Sequence, residues 1–129
     1  MKKKGILNRE LAATFARLGH TDQITIADCG LPIPDGVRCI DLSYIIGKPS
    51  FLEILGVVLD DLEVESAVIA SEMVSMNPMI FDEIQHQVPQ VTELPHEEFK
   101  QLTGRSKVII RTGEATPYSN IILQSGVLF

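Results

Sequence analysis

His20 and Asp28 bracket the stretch "HTDQITIAD" in a chain that holds only three histidines. Imidazole changes charge near neutral pH, and a carboxylate beside it can orient the ring and stabilise its cation. Together the two make a general acid/base. Asp28 stands between Ala27 and Cys29 at the end of an alternating apolar run, where a partly buried carboxylate needs a polar partner. A histidine is the natural partner, so the pattern predicts that this segment brings His20 and Asp28 to one pocket. The plainer reading is a helix stop, a strand and a turn, with His20 bonded to the last helix carbonyls and Asp28 in solvent.

The other candidates lie further along. His96 opens a helix after Pro95 and before Glu97-Glu98; it is either a ligand contact or an ordinary residue at a helix start. His86 falls late in an amphipathic helix between Gln85 and Gln87 and reads as solvated. Tyr118 and Asn120 precede the apolar Ile121-Ile122-Leu123. On an extended segment they share a face, and a phenol with a carboxamide supplies the donors and acceptors that suit a polyhydroxylated ligand. The alternative is a tyrosine packed on a sheet edge and an asparagine in a turn.

Several chemistries have no residues to carry them. The glycines form neither a phosphate loop nor a dinucleotide fingerprint, and no Gly-x-Ser-x-Gly elbow exists. The histidines lack metal-ligand spacing, so a metal site built from His20, Asp28 and His96 has no support. A formal charge of −6 and a pI near 4.9 argue against nucleic acid or an anionic membrane as partner. Lys2-Lys3-Lys4 is the one basic run, and it reads as a solvated end. Only Ile6-Leu7 follows it before polar residues intervene, too little for a signal peptide. No apolar run approaches the ~20 residues of a membrane span, so a cytoplasmic location is expected. Cys29 and Cys39 form no Cys-x-x-Cys pair and read as reduced thiols. The mean hydropathy of +0.18 leans toward an oligomer that hides part of its surface.

These residues must be positioned by a scaffold. At 129 residues, 45% of them hydrophobic, the chain reads as one domain over 1–129 with a sizeable core. Asn8 caps a helix with the face Leu11, Phe15 and Leu18, and Gly19 supplies a left-handed stop. Gln23 to Asp28 reads as a strand, Gly30 to Gly36 as a loop, and Val37 to Leu42 as a short strand. Pro49-Ser50 opens a helix bearing Phe51, Leu52, Leu55 and Leu59, and Val64 to Ala70 reads as a buried strand. Asn77-Pro78 caps a helix with the stripe Ile80, Phe81, Ile84 and Val88, ended by Pro89. A strand at Val91 to Leu94, a helix from His96 to Leu102 stopped by Gly104, and strands at Lys107 to Arg111 and Asn120 to Leu123 complete the order. Strands alternating with helices predict a three-layer α/β domain with a largely parallel central sheet flanked by helices. The two consecutive final strands leave room for a mixed sheet. Ligands of such sheets bind at the carboxyl ends of strands, and Asp28 sits at one.

The stretches "RLGHTDQITIADCGLPIP", "PSFLEILGVV", "HEEFK" and "PYSNIILQSGVLF", in this order over nearly the whole chain, resemble the D-ribose pyranase family. The related L-fucose mutarotases share the Gly-His and Tyr-x-Asn elements, but "DCGLPIP" and "HEEFK" are similar to the ribose branch. The resemblance implies a cofactor-free cytoplasmic isomerase that interconverts the pyranose and furanose forms of D-ribose. It also implies a homo-oligomer, decameric in family members, with sites between subunits. By motif, His20 would be the catalytic acid/base, and Asp28, His96, Tyr118, Ser119 and Asn120 would bind sugar, with Lys100 nearby. The alternatives are a mutarotase for another sugar such as L-fucose, or a sugar-binding regulatory subunit without turnover, which would have no need of His20.

Overall fold

Asn8 does cap the first helix. Its side-chain oxygen accepts the N–H groups of Glu10 and Leu11, each at 3.0 Å, at the start of α1 (Arg9–Phe15). The computed structural model describes residues 1–129, and in it the helix stops at Ala16 rather than at Gly19. Gly19 is not left-handed; that conformation falls on Thr21, with φ 69°. The Gly19 N–H bonds the Asp22 carboxylate instead, so a side chain closes the turn without a glycine in the left-handed region.

The chain continues through β1 (Gln23–Ala27), β2 (Cys39–Asp41), α2 (Phe51–Asp61) and β3 (Val64–Ala70). It then forms α3 (Met73–Met76), α4 (Pro78–Gln87), β4 (Val91–Leu94) and α5 (His96–Leu102). A 3-10 turn (Thr103–Arg105), β5 (Val108–Arg111) and β6 (Ile121–Ser125) end it. Ser50 and Glu53 form a reciprocal capping box at the start of α2. The short α3 is absent from the sequence reading because four residues carry too little periodicity to register. Gly104 lies inside the 3-10 turn that prolongs α5, rather than stopping the helix.

The six strands form one mixed sheet in the order β2-β5-β1-β6-β3-β4. β1, β2 and β5 are mutually parallel, as are β3 and β4. β6 runs antiparallel to both β1 and β3, between which it lies. The last strand therefore joins two parallel halves. β5 and β6 are consecutive in sequence but lie on opposite sides of β1, so the segment between them crosses the carboxyl end of β1. There the Thr112 N–H and hydroxyl both donate to the Ala27 carbonyl, at 2.9 and 2.8 Å.

Strand alternation assigns the two faces. Ile24, Ile26, Val108, Ile110, Ile121 and Leu123 pack beneath residues of α1 to α4 in the larger cluster of 20 buried hydrophobics. Their neighbours Ala27, Ile109 and Ile122 point the other way and meet Leu31 and Phe99, the latter from α5. Helices on one face and α5 with the 30–37 loop on the other give the three layers. No helix is long and apolar enough to cross a membrane.

Candidate active site

Because β6 is antiparallel, its beginning lies at the edge where the parallel strands end. The register pairs Ile26 with Ile121, which sets Asn120 opposite the end of β1. Asn120 is fully buried and clamps Asp28 at two points. Its Oδ1 accepts the Asp28 N–H and its Nδ2 donates to Asp28 Oδ2, both at 2.8 Å. The Gly30 N–H donates to Asp28 Oδ1 at 2.9 Å. The partner of this carboxylate within the chain is thus the asparagine just before β6, not a histidine.

Tyr118 and Asn120 do not share an extended face. Tyr118 has φ 58°, and the Asn120 N–H bonds back to the Tyr118 carbonyl at 2.8 Å, so the run is a tight turn before the strand. Left-handed backbone is costly for a bulky residue and persists only when its surroundings hold it. Asn77 does the holding. Its Nδ2 lies 3.0 Å from Thr116 Oγ1, 2.9 Å from the Pro117 carbonyl and 2.9 Å from Ser119 Oγ. The residue before Pro78 reads as a helix cap, yet its side chain makes no cap bond and serves this turn instead. Ser119 is fully buried and bonds Thr116 as well as Asn77.

His96 reaches the same edge from the end of β4. Its ring lies edge-on to Tyr118, with centroids 5.0 Å apart, and stacks at 6.3 Å on Phe99. Its N–H donates to both carboxylate oxygens of Glu72, at 3.1 and 3.0 Å. The N–H groups of Glu72 itself and of His96 hold the Glu72 carboxyl below its ordinary range. His96 Nδ1 is buried without a hydrogen-bond partner, which is uncommon for a buried polar atom. A cleft of about 490 Å³ is lined by Asp28, Leu31, Met76, His96, Lys100 and Tyr118, among others. Lys100 is paired with Glu97 at 2.7 Å. Of the sequence-derived candidates, Asp28, His96, Lys100 and Tyr118 line this cleft, while Ser119 and Asn120 stand behind it.

His20 is elsewhere. It precedes β1 and so lies at the amino edge, whereas Asp28 follows β1 at the carboxyl edge. At ~3.3 Å per residue of strand, the segment separates them by roughly 20 Å. Within one chain they share no pocket, contrary to the direct reading of their spacing. At the amino edge His20 Nε2 lies 3.0 Å from Glu65 Oε2, and Gln124 Nε2 donates to Glu65 Oε1 at 2.5 Å. The hydrogen bond from Gln124, and then that from His20, lower the Glu65 pKa. A further cavity on this edge, about 300 Å³, is lined by Arg17, Arg38 and Lys107, but Arg38 pairs with Glu10 and Lys107 with Asp22. No three His, Cys, Asp or Glu side chains are grouped to hold a metal ion. Glu65, Glu72, Asn77 and Gln124 escaped the sequence reading. Only Asn77, the polar residue before a proline, gave any local signal, and that signal pointed to a cap.

A mixed six-stranded sheet whose reversed last strand clamps a carboxylate into a polar cleft defines a small-molecule-binding α/β domain. The chain matches the RbsD / FucU transport protein family over residues 1–128 and belongs to that family. It is 56% identical to a D-ribose pyranase of an Exiguobacterium species and 55% identical to one of Bacillus cereus, each match covering the whole of both chains. Its fold superimposes on Bacillus subtilis RbsD, solved in complex with D-ribose, with a TM-score of 0.98 over the whole of both chains and 49% identity. It also shares the fold of the Streptococcus pneumoniae fucose mutarotase, with a TM-score of 0.77 at 24% identity over 95% of each chain.

Proposed function

We propose that this chain is a D-ribose pyranase, an isomerase that interconverts the β-pyranose and β-furanose forms of D-ribose in ribose utilisation. The observation that carries the proposal is the full-length match, in sequence and in backbone, to proteins that bear that name and to one solved with D-ribose. It acts in the cytoplasm as a homo-oligomer, a decamer by resemblance to its family. Its substrate is the free sugar, with no nucleic acid or membrane partner.

Changing ring size requires the hemiacetal to open and then close on a different hydroxyl. Opening takes a proton from the anomeric hydroxyl and gives one to the ring oxygen; closing reverses this. His20 is the acid/base of this exchange. Asp28, His96 and Tyr118 hold the sugar's hydroxyls in the cleft, with Ser119 and Asn120 fixing the turn and the carboxylate behind them. Because His20 and Asp28 lie at opposite edges of one chain, a shared sugar needs the His20 edge of one subunit against the Asp28 cleft of another. That separation supports sites between subunits.

Saturation-transfer NMR on D-ribose tests the reading directly. The protein should accelerate exchange between ring forms, and more so than anomer exchange of L-fucose. His20→Ala should lose about 10²–10⁴-fold of that acceleration, the usual worth of a general acid/base, while retaining ribose binding. Binding without any acceleration by the unaltered protein would favour a regulatory sugar-binding subunit, and a preference for L-fucose would move the assignment to the mutarotases.

A further inference from the structure

We infer that Glu65 fixes the tautomer of His20, so that Nδ1 rather than Nε2 is the ring atom that exchanges protons with the sugar. The inference rests on the reading of His20 as acid/base and adds to it the reacting atom and the residue that selects it.

Four residues from neighbouring strand ends form one chain of polar contacts. Gln23 pairs with Gln124 across β1 and β6, and its Nε2 approaches Gln124 Oε1 at 3.4 Å. Gln124 Nε2 donates to Glu65 Oε1 at 2.5 Å, and Glu65 Oε2 lies 3.0 Å from His20 Nε2. The register between β3 and β6 slips here: Val64 pairs with Ser125 and Ser66 with Gln124, which leaves Glu65 as the extra residue of a bulge. Bulges re-aim side chains and recur beside functional sites. The His20 backbone is tied down as well. The Thr21 N–H donates to the Ser125 carbonyl at 2.9 Å, and the Ser125 N–H to the Asp22 carbonyl at 2.9 Å. A residue on a free loop would not be held so closely against the end of β6.

An ionised carboxylate has acceptors only. Glu65, whose carboxyl the hydrogen bonds from Gln124 and His20 hold below its ordinary range, is ionised near neutral pH. It has no proton to offer the Nε2 that lies 3.0 Å from its Oε2, so the contact is a hydrogen bond donated by Nε2–H. In neutral imidazole one nitrogen carries the proton and the other the lone pair, and the bond made by one sets the state of the other. The lone pair is consequently on Nδ1. That atom takes the proton of a sugar hydroxyl. The resulting imidazolium keeps its Nε2–H on Glu65, and the Nδ1 proton returns to a sugar oxygen as the ring opens or closes. One proton leaves the sugar and one returns, and Glu65 gains none. Glu65 is a positioning residue, acting only through His20.

The test uses the full-length protein labelled with ¹⁵N-histidine, read by long-range ¹H–¹⁵N correlation under conditions where His20 is neutral. The His20 signals are assigned by their loss in His20→Ala. The expected result is an Nε2–H tautomer. Glu65→Ala should give a mixture of tautomers and lower kcat for ribose ring exchange by about 10–100-fold, the range seen when the partner that orients a metal-bound histidine is removed, with KM within about twofold. Glu65→Gln, which keeps an acceptor but not the charge, should restore the Nε2–H tautomer and part of the rate. A wild-type Nδ1–H tautomer would overturn the inference. So would a Glu65→Ala variant with unchanged tautomer and kcat, even if His20 proves essential. If His20→Ala exchanges ring forms at the wild-type rate, the acid/base reading falls and takes this one with it; the tautomer spectra show which of the two failed.

Discussion

Asp28 is held by one side chain, that of Asn120, together with the Gly30 N–H. Asn120 gives its carbonyl to the Asp28 backbone and its amide to the Asp28 carboxylate, using both ends of a buried carboxamide where few other side chains could serve. Asn120→Ala should therefore strand an N–H and a carboxylate oxygen together. Leaving a buried polar group unmet costs about 1–3 kcal/mol, so the unfolding free energy should fall by that much, seen as a lower urea midpoint with an unchanged slope. Ribose affinity, read by calorimetry, should drop in the same variant because the carboxylate is no longer aimed. A loss of affinity without a loss of stability would show that Asn120 touches the sugar rather than acting through Asp28. His96 offers a contrast at the same scale: its backbone N–H is met by Glu72, while its buried Nδ1 is left unpaired.

Among the elements, the segment between β5 and β6 organises the site, and its course depends on one glycine. The Gly113 N–H bonds the Pro49 carbonyl at 2.9 Å and its carbonyl accepts the Gly47 N–H at 2.5 Å, so two backbones pass in near contact. A Cβ on residue 113 would fall under 3.0 Å from three Lys48 backbone atoms, and backbone cannot swing aside as a side chain can. Gly113→Ala should destabilise the fold by about 1–3 kcal/mol, the usual cost of overpacking, measured by urea unfolding. Gly104→Ala is the control, since nothing lies within 4 Å of a Cβ there. Equal stability of both variants would mean that the 44–49 loop yields easily and does not constrain the crossing. The Asn77 contacts to 116–119 make the second anchor of this segment, and the two together deliver Tyr118 and Asn120 to the end of β1.

Across the whole molecule, apolar surface lies where a free monomer has no use for it. Leu128 is 89% exposed and Phe129 103%, and Tyr44, Ile45 and Ile46 form a second exposed apolar run at 70%, 62% and 84%. Burying such area is worth roughly 25 cal/mol per Å², which favours an interface between copies. Removal of Val127 to Phe129 should weaken the oligomer and reduce ribose ring exchange together, although none of the three can transfer a proton. Sedimentation velocity and NMR exchange on one truncated sample check this. A fully active monomer would refute sites shared between subunits, whereas an inactive but intact oligomer would point to disturbance of Tyr118 and Asn120 through β6.

The elements and their chemistry were legible in the residues themselves. Val64–Ala70 and Val91–Leu94 are strands at the predicted bounds, because alternation and flanking turn residues are local properties. Asn8 and Pro78 open their helices for equally local reasons of capping and fixed φ. His20, Asp28, His96 and Tyr118 stood out by type and position alone. Tertiary structure decided what those residues face. Only the insertion of β6 between β1 and β3 shows that Asp28 meets Asn120, since strand order is set by which long-range pairings bury the most surface. The left-handed turn at Tyr118 follows from Asn77, some forty positions earlier, and so leaves no trace in its own neighbourhood. Most consequentially, adjacency along the chain suggested one pocket for His20 and Asp28. An extended strand instead carries its two ends to opposite edges of the sheet, so residues close in sequence are set apart by the strand between them.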